Sequence, residues 1–186
     1  CGVSKQYHQM MLTNVLRPAI QMIGAIELPP LNAPFTQANI AHHVEYDYHI
    51  NHLVDACRQG FQIPHFHPPQ WAFDEVDEYL GGCPPPVVIT LREAEAQPER
   101  NSRVIEWLKF AEEIKADYPV LFIRDTDKAD KDIALFHTCW SRPARNAYVR
   151  AALYQRAFCN MMVSNGPIGW CQYTTAPFLS FKQLVP

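Results

Sequence analysis

Four short apolar runs constrain this chain more than anything else in it: Val87–Leu91 (VVITL), 120–123 (VLFI), 161–163 (MMV) and 177–181 (PFLSF). They are short and apolar, the signature of strands buried on both faces. The gaps between them are too long for hairpins and long enough for crossover helices. In the first gap Val104, Trp107, Leu108, Ala111 and Ile114 recur at helical spacing, with Arg103, Glu106, Lys109, Glu112 and Glu113 on the opposite face. A helix is therefore predicted over residues 102–116, with Asn101 or Ser102 as its cap. The second gap holds a polar loop, an apolar patch at 133–136, and a helix opened by Ser141, Arg142 and Pro143. Ala147, Tyr148, Ala151, Tyr154 and Phe158 would line its apolar face. In the third gap Ser164, Asn165, Gly166 and Pro167 turn into a short helix, IGWCQYT. Strand–helix–strand–helix–strand–helix–strand predicts an α/β fold, a Rossmann-like parallel sheet with flanking helices.

The pattern before residue 83 is different. Residues 5–16 read as a helix that ends before Pro18, and residues 19–26 as a short apolar strand or helix. Pro29, Pro30 and Pro34 mark a loop. Residues 44–59 place Tyr46, Ile50, Leu53, Val54 and Cys57 near one helical face, with Gly60 as the stop. Pro64, Pro68 and Pro69 keep the next stretch extended, and residues 71–80 form a helix closed by Gly81 and Gly82. Residues 1–82 are thus an irregular, mostly helical segment and residues 83–186 the sheet domain. The chain opens at Cys1 and stops at Pro186 after an apolar segment, which reads as a piece of a longer protein.

Composition excludes several classes. The formal net charge of −3 argues against bulk attraction to nucleic acid or anionic membrane, and no run is apolar enough for a transmembrane helix. With 7 glycines in 186 residues there is no Gly-rich phosphate loop, which removes P-loop enzymes and standard dinucleotide-binding dehydrogenases. The 6 cysteines lack CxxC spacing and are too sparse for a disulfide scaffold. They read as buried free thiols of a cytoplasmic protein, with three disulfides in a secreted protein as the lesser alternative.

In an open parallel sheet, ligands bind beyond the carboxyl ends of the strands. After the first strand come Arg92 and Glu93, then Arg100, Asn101 and Ser102 at a helix start. After the second come Arg124, Asp125, Thr126 and Asp127, and after the third Ser164, Asn165, Gly166 and Pro167. Helix starts offer free N–H groups to an anion, Gly166 lets backbone approach a ligand, and Arg92 and Arg100 supply charge-assisted hydrogen bonds to phosphate oxygens. The structural alternative is that Arg92 pairs with a neighbouring acid and the 164–167 turn only caps a helix. Asp125 and Asp127 have DxD spacing, but their Lys/Asp-rich loop reads as solvated rather than as a metal site.

The stretch MMVSNGPIGWCQYTTAPFLSF (161–181) resembles the donor-binding region of GT-B glycosyltransferases, most of all the heptosyltransferase-like group and related bacterial sugar transferases. Those carry a strand, then Asp-Thr-Gly-Pro-Met-His, a short helix and a strand leading from a proline. Gly166 and Pro167 match, Ser164 stands for the Asp, Asn165 for the Thr, and Gly169 for the His. VVITLRE (87–93) is similar to the first strand of that half, where a basic residue commonly meets the donor diphosphate. The resemblance covers residues 84–186. It implies half of a GT-B fold, with residues 1–82 as part of an acceptor-side domain or a linker. It implies a metal-independent glycosyltransferase that takes a nucleotide-sugar as substrate, needs no cofactor, and passes the sugar to a saccharide or glycolipid acceptor. Arg92 and the 164–167 turn would hold the diphosphate and sugar. Arg100, Asn101 and Ser102 would support them, and Asp125 or Thr126 would lie near the base or ribose. The catalytic base would come from the acceptor side and is unassigned.

Two other readings compete. One is a non-catalytic Rossmann-like module that binds a phosphorylated or otherwise anionic ligand. The other is a metal site built from His42, His43, His49, His52, His65 and His67, although these match no zinc-ligand spacing. His137 is a further donor-contact candidate. Arg142 and Arg145 in a first helical turn suggest either a nearby phosphate or a solvated basic face.

Overall fold

Val87–Leu91 forms β1, and all five of its side chains are buried. The computed structural model describes residues 9–24, 54–55, 57–60, 62, 65–95, 97–124, 128–133 and 138–181. The further strands are β2 (Val120–Arg124), β3 (Thr138–Cys139), β4 (Cys159–Val163) and β5 (Phe178–Phe181). They make one all-parallel sheet of five strands in the order β3-β2-β1-β4-β5. Val88 lies opposite Leu121 on one side and Asn160 on the other. The four predicted strands are all present. The fifth, β3, is only two residues long, too short for any periodicity to announce it.

The helices divide between the two faces. Val87, Ile89, Leu91 and Phe122 point to one face, where they pack with Ala111 and half-buried Trp107, Leu108 and Phe110 of a helix at Val104–Ile114. Val88, Leu121, Ile123 and Met162 point to the other, where they meet a helix at Ala147–Arg156. In chain order the helices are α1 (Arg17–Met22), α2 (Gln70–Leu80), α3 (Val104–Ile114), α4 (Arg142–Arg145), α5 (Ala147–Arg156) and α6 (Ile168–Gln172). α5 is the centre of the second face: α1, α2, α4 and α6 all pack against it. It is buried nearly all round, so seven of its ten residues are inaccessible, Arg150 among them. The Arg150 guanidinium donates to Pro143 O at 2.8 Å. Alanines at 147, 151 and 152 let the layers approach closely, a broader burial than the single apolar stripe predicted. Phe158 lies beyond the end of α5 and is exposed.

The first helix does not stop before Pro18. Residues 12–16 wind as a wider π-helical turn, Arg17 N–H donates to Leu12 O, and the helix continues to Met22 with Pro18 in its first regular turn. Pro18 has no N–H to lose at that position. Residues 19–22 are therefore helix, and the turn at Gly24 takes a positive φ of 72°. Of the predicted 44–59 helix, residues 54–55 and 57–58 are helical and Gly60 N–H donates to Cys57 O. Gln59 is in the closing turn, and residues 44–53 and 56, with the 29–37 loop, lie outside the described residues. The extended stretch before α2 is pinned by backbone bonds, Phe66 N–H to Tyr173 O (2.7 Å) and His67 N–H to Met22 O (2.8 Å). α2 ends where predicted: Gly81 adopts a left-handed φ of 56° and its N–H closes the last turn. Met22, Ala72 and Val76 share one buried cluster with α5 and the sheet. Ion pairs Arg142–Glu75 (2.7 Å) and Arg156–Asp77 (2.8 Å) add contacts around α2.

α4 and α5 are separate helices because Asn146 is extended. Its side chain accepts hydrogen bonds from Tyr148 and Val149 N–H, capping α5. Inside the core, Thr90 of β1 and Tyr154 of α5 share a 2.7 Å hydrogen bond, and both residues are fully buried. Such a bond fixes the height of α5 over the central strand. Tyr154→Phe is expected to destabilise the fold by about 1–2 kcal/mol, because Thr90 is left with one partner fewer in a dry core. Adding Thr90→Val should recover part of that loss in denaturant unfolding; strictly additive losses would show that the pair does not act as a unit.

The cysteines are less uniformly buried than expected. Cys57 and Cys83 are exposed, Cys139 and Cys159 half-buried, and Cys171 buried. Burial, with a smaller contribution from Cys159, pushes the Cys171 thiol up to about 12. Thiol labelling with mass mapping should modify Cys57 and Cys83 quickly and Cys171 only on unfolding. Equal rates at all three would contradict this packing.

Candidate functional site

The strand order reverses direction between β1 and β4, so the crevice beyond their carboxyl ends is the topological switch point of the sheet. Two of the segments singled out by sequence meet there: the loop from Arg92 to Ser102 and the turn of residues 164–167.

The β1–α3 loop is held by its own polar side chains. Arg92 N–H donates to Ser102 Oγ (2.9 Å), and Ser102 N–H returns a bond to Arg92 O (2.8 Å). Asn101 clasps Ala94 from both sides: its Oδ1 accepts from Ala94 N–H (3.0 Å) and its Nδ2 donates to Ala94 O (2.8 Å). The cap on α3 expected from Asn101 or Ser102 is not formed. The residue before the helix is Arg103, with no side-chain cap, because the Asn101 and Ser102 side chains are already used inside the loop. The Arg92 guanidinium turns back onto the same loop, donating to Asn101 Oδ1 (2.5 Å) and Gln97 O (2.9 Å). Gln97 adopts a left-handed φ of 54°, uncommon for a side chain-bearing residue and a place where strain is stored.

Arg100 spans the switch point. Its Nη1 donates to Gln97 Oε1 (2.6 Å), and its Nη2 reaches across to Ser164 O (3.3 Å). The guanidinium is exposed. Ser164 is tied in turn to β5 through its N–H on Phe181 O (3.3 Å). Beside it, Asn165 is the unusual residue: both its Oδ1 and Nδ2 are buried with no hydrogen-bond partner. An amide that could make several hydrogen bonds is rarely left with none. Gly166 has an ordinary φ, and a Cβ built on it would meet nothing within 4 Å. The turn does not need glycine for its own geometry; the space beside residue 166 is simply open. Pro167 immediately precedes α6.

Asp125, Thr126 and His137 lie outside the described residues, as do Asp127, His42, His43, His49 and His52. Among the described residues, no group of three His, Cys, Asp or Glu is placed to hold a metal ion. Arg142 and Arg145 do not join the switch point; they pair with Glu75 and Asp130.

Sequence reasoning passed over a second fastening at this edge. Glu93 and Arg124 form a two-pronged ion pair, Nε–Oε2 and Nη2–Oε1 both 2.8 Å, with side chains only 6% and 11% exposed. Lys128 adds a third contact at 3.2 Å, and Arg124 Nη1 donates to Asp132 O (2.7 Å) and Lys131 O (3.1 Å). The signal was opposite charges at two strand ends: Glu93 stands two residues after β1 and Arg124 closes β2, where the register sets it beside Leu91.

A groove of about 610 Å³ opens on the α3 face of the sheet. Trp107 and Phe110 of α3 form one wall; Met161 and Val163 of β4 and Leu179 and Phe181 of β5 form the floor and other wall, with Arg103 and Glu106 also lining it. α3 covers β1 and β2 but leaves this part of the sheet bare, so Leu179 and Phe181 remain half exposed.

Comparison with models of protein families, with curated proteins and with solved structures finds no match to the chain. Its architecture is a five-stranded parallel α/β sheet with flanking helices. No helix among the described residues is long and apolar enough to cross a membrane.

Burial works to raise the Glu93 pKa, but the hydrogen bonds and charges of Arg124 and Lys128 outweigh it and hold the carboxyl below its ordinary value. A depressed folded pKa stabilises the protein above the ordinary carboxylate pKa of about 4.3, and that contribution disappears as pH falls through the lower folded value. Glu93→Gln should therefore cost about 3 kcal/mol at neutral pH, where it strands a nearly buried Arg124, and progressively less in acid. Melting temperatures of both proteins between pH 7 and pH 3 test this; a constant gap would show that the carboxylate charge is not the stabilising element.

Proposed function

We propose that this chain carries the nucleotide-sugar-binding part of a metal-independent glycosyltransferase of GT-B type, heptosyltransferase-like in its donor region. The observation that carries the proposal is the junction at the switch point. The Arg100 guanidinium, bonded to Ser164 O, stands over a turn whose Asn165 amide is buried with no partner and whose Gly166 borders open space. A diphosphate supplies negative charge and acceptor oxygens for the exposed guanidinium, and the open space beside Gly166 leaves room for it. The order strand, Gly-Pro turn, short helix and strand leading from a proline supports the same family.

In this reading Arg100 and the 164–167 turn bind the leaving diphosphate and sugar. Arg92, Asn101 and Ser102 are positioning residues, since their side chains hold the loop that presents Arg100. Asp125 or Thr126 would meet the base or ribose. The acceptor, a saccharide or glycolipid, and the base that activates it belong to the acceptor side. In the transfer the acceptor hydroxyl loses its proton to that base and its oxygen bonds to the anomeric carbon. The bond from that carbon to the diphosphate breaks, and the nucleoside diphosphate leaves with the electron pair. The protein's contribution on the donor side is to receive that charge.

Thermal shift with UDP, GDP, ADP and CMP, on the wild type and on Arg100→Ala, tests the proposal. One nucleotide at 100 times its Kd should stabilise the wild type by about 2.7 kcal/mol, and Arg100→Ala should lose most of that shift. No shift with any nucleotide in a folded protein would overturn the donor-site reading. A nucleotide shift that Arg100→Ala leaves intact would overturn the assignment of Arg100.

A further inference from the structure

The groove beside α3 is not needed by the donor site, yet it runs to the same edge of the sheet. Val163 and Phe181 line it, and both are the last residues of their strands. The next residue after Val163 is Ser164, which bonds to Phe181 O on one side and receives Arg100 Nη2 on the other. Arg103, at the start of α3, lines the groove at this end. Glu106 also lines it, with Lys109 Nζ 3.2 Å from its carboxylate to offset its charge. The groove is therefore lined mainly by apolar side chains, with Arg103 and Glu106 as its charged lining, and Arg100 lies beyond it, bonded to Ser164 O next to Val163.

We propose that it binds the hydrocarbon chain of a single-chain anionic amphiphile whose phosphate head lies at the Arg100–Arg103 end. The inference rests on the reading of the switch point as an anion-binding end. Its volume falls in the range of sites that bury most of a small ligand. Leu179 at 50% and Phe181 at 46% exposure leave apolar surface that a ligand chain would cover. An uncharged apolar occupant would not use the arginines, and a free phosphate would not use the groove.

The test is isothermal titration of octyl, decyl and dodecyl phosphate, each below its aggregation concentration, with inorganic phosphate as the headgroup control. Each added methylene that enters the groove should tighten binding about three- to fourfold. Leu179→Gln, at a half-exposed edge position, should flatten that dependence while its melting temperature stays near the wild-type value. Affinity that does not change with chain length, or a chain-length dependence that Leu179→Gln leaves intact, overturns the proposal. So does a finding by sedimentation that Leu179→Gln dissociates a dimer while no alkyl phosphate binds, since the occupant is then a second copy of the chain. The UDP, GDP, ADP and CMP panel, repeated on Leu179→Gln, separates the two readings. Nucleotide binding without chain-length dependence removes the groove inference alone, and chain-length dependence without nucleotide binding removes the donor reading alone.

Discussion

The burial of β1 on both faces is the constraint on which the rest of this structure depends. A strand with no wet face must have a layer above it and a layer below it, and its neighbours must run parallel because the connections on either side are crossovers. One layer is built around α5, itself so enclosed that it needs α1, α2 and α6 beside it. Among the described residues the main helix of the other layer is α3. This asymmetry explains two features at once. It draws Met22, Ala72 and Val76 from the irregular first stretch into the main core, and it leaves the β4–β5 side of the α3 face as an open groove.

The carboxyl edge of the sheet is fastened by polar side chains rather than by packing. Asn101, Ser102 and Arg92 bind the β1–α3 loop to itself, and the Glu93–Arg124 pair ties the ends of β1 and β2 to the loop after β2. These contacts do different work. The ion pair is nearly buried and pins two strand ends; the loop bonds hold Gln97 in a strained conformation and aim Arg100 at Ser164. A loop held this way orders the Arg100 guanidinium through the protein's own hydrogen bonds.

The fold was largely legible in the sequence because short apolar runs with long gaps leave few arrangements. β1 was readable at both ends, and α2 at its stop, since a continuous VVITL and a Gly-Gly pair are local signals. β3 was not, because two residues that pair with β2 carry no period. The helix through Pro18 was misread because a π-helical turn relieves what proline normally breaks, and nothing local announces such a turn. At the site, sequence picked out Arg92, Arg100, Asn101, Ser102 and the 164–167 turn by position at strand ends. It misassigned what Asn101 and Ser102 do, since a polar residue before a helix reads as a cap whether or not a nearer partner takes its side chain.

The sequence by itself determined the class of fold and the net charge. These follow from local periodicity, spacing and composition, which do not require distant segments to meet. Tertiary structure alone decided that Arg100 rather than Arg92 reaches across to the 164–167 turn, that the polar atoms of the Asn165 side chain are buried without a partner, and that Arg142 and Arg145 are occupied by Glu75 and Asp130. It also decided that an apolar groove adjoins the switch point. Each of these depends on which residues far apart in the chain come within 3 Å or so of one another, a distance set by the register and layering of the whole sheet and not by any stretch of sequence.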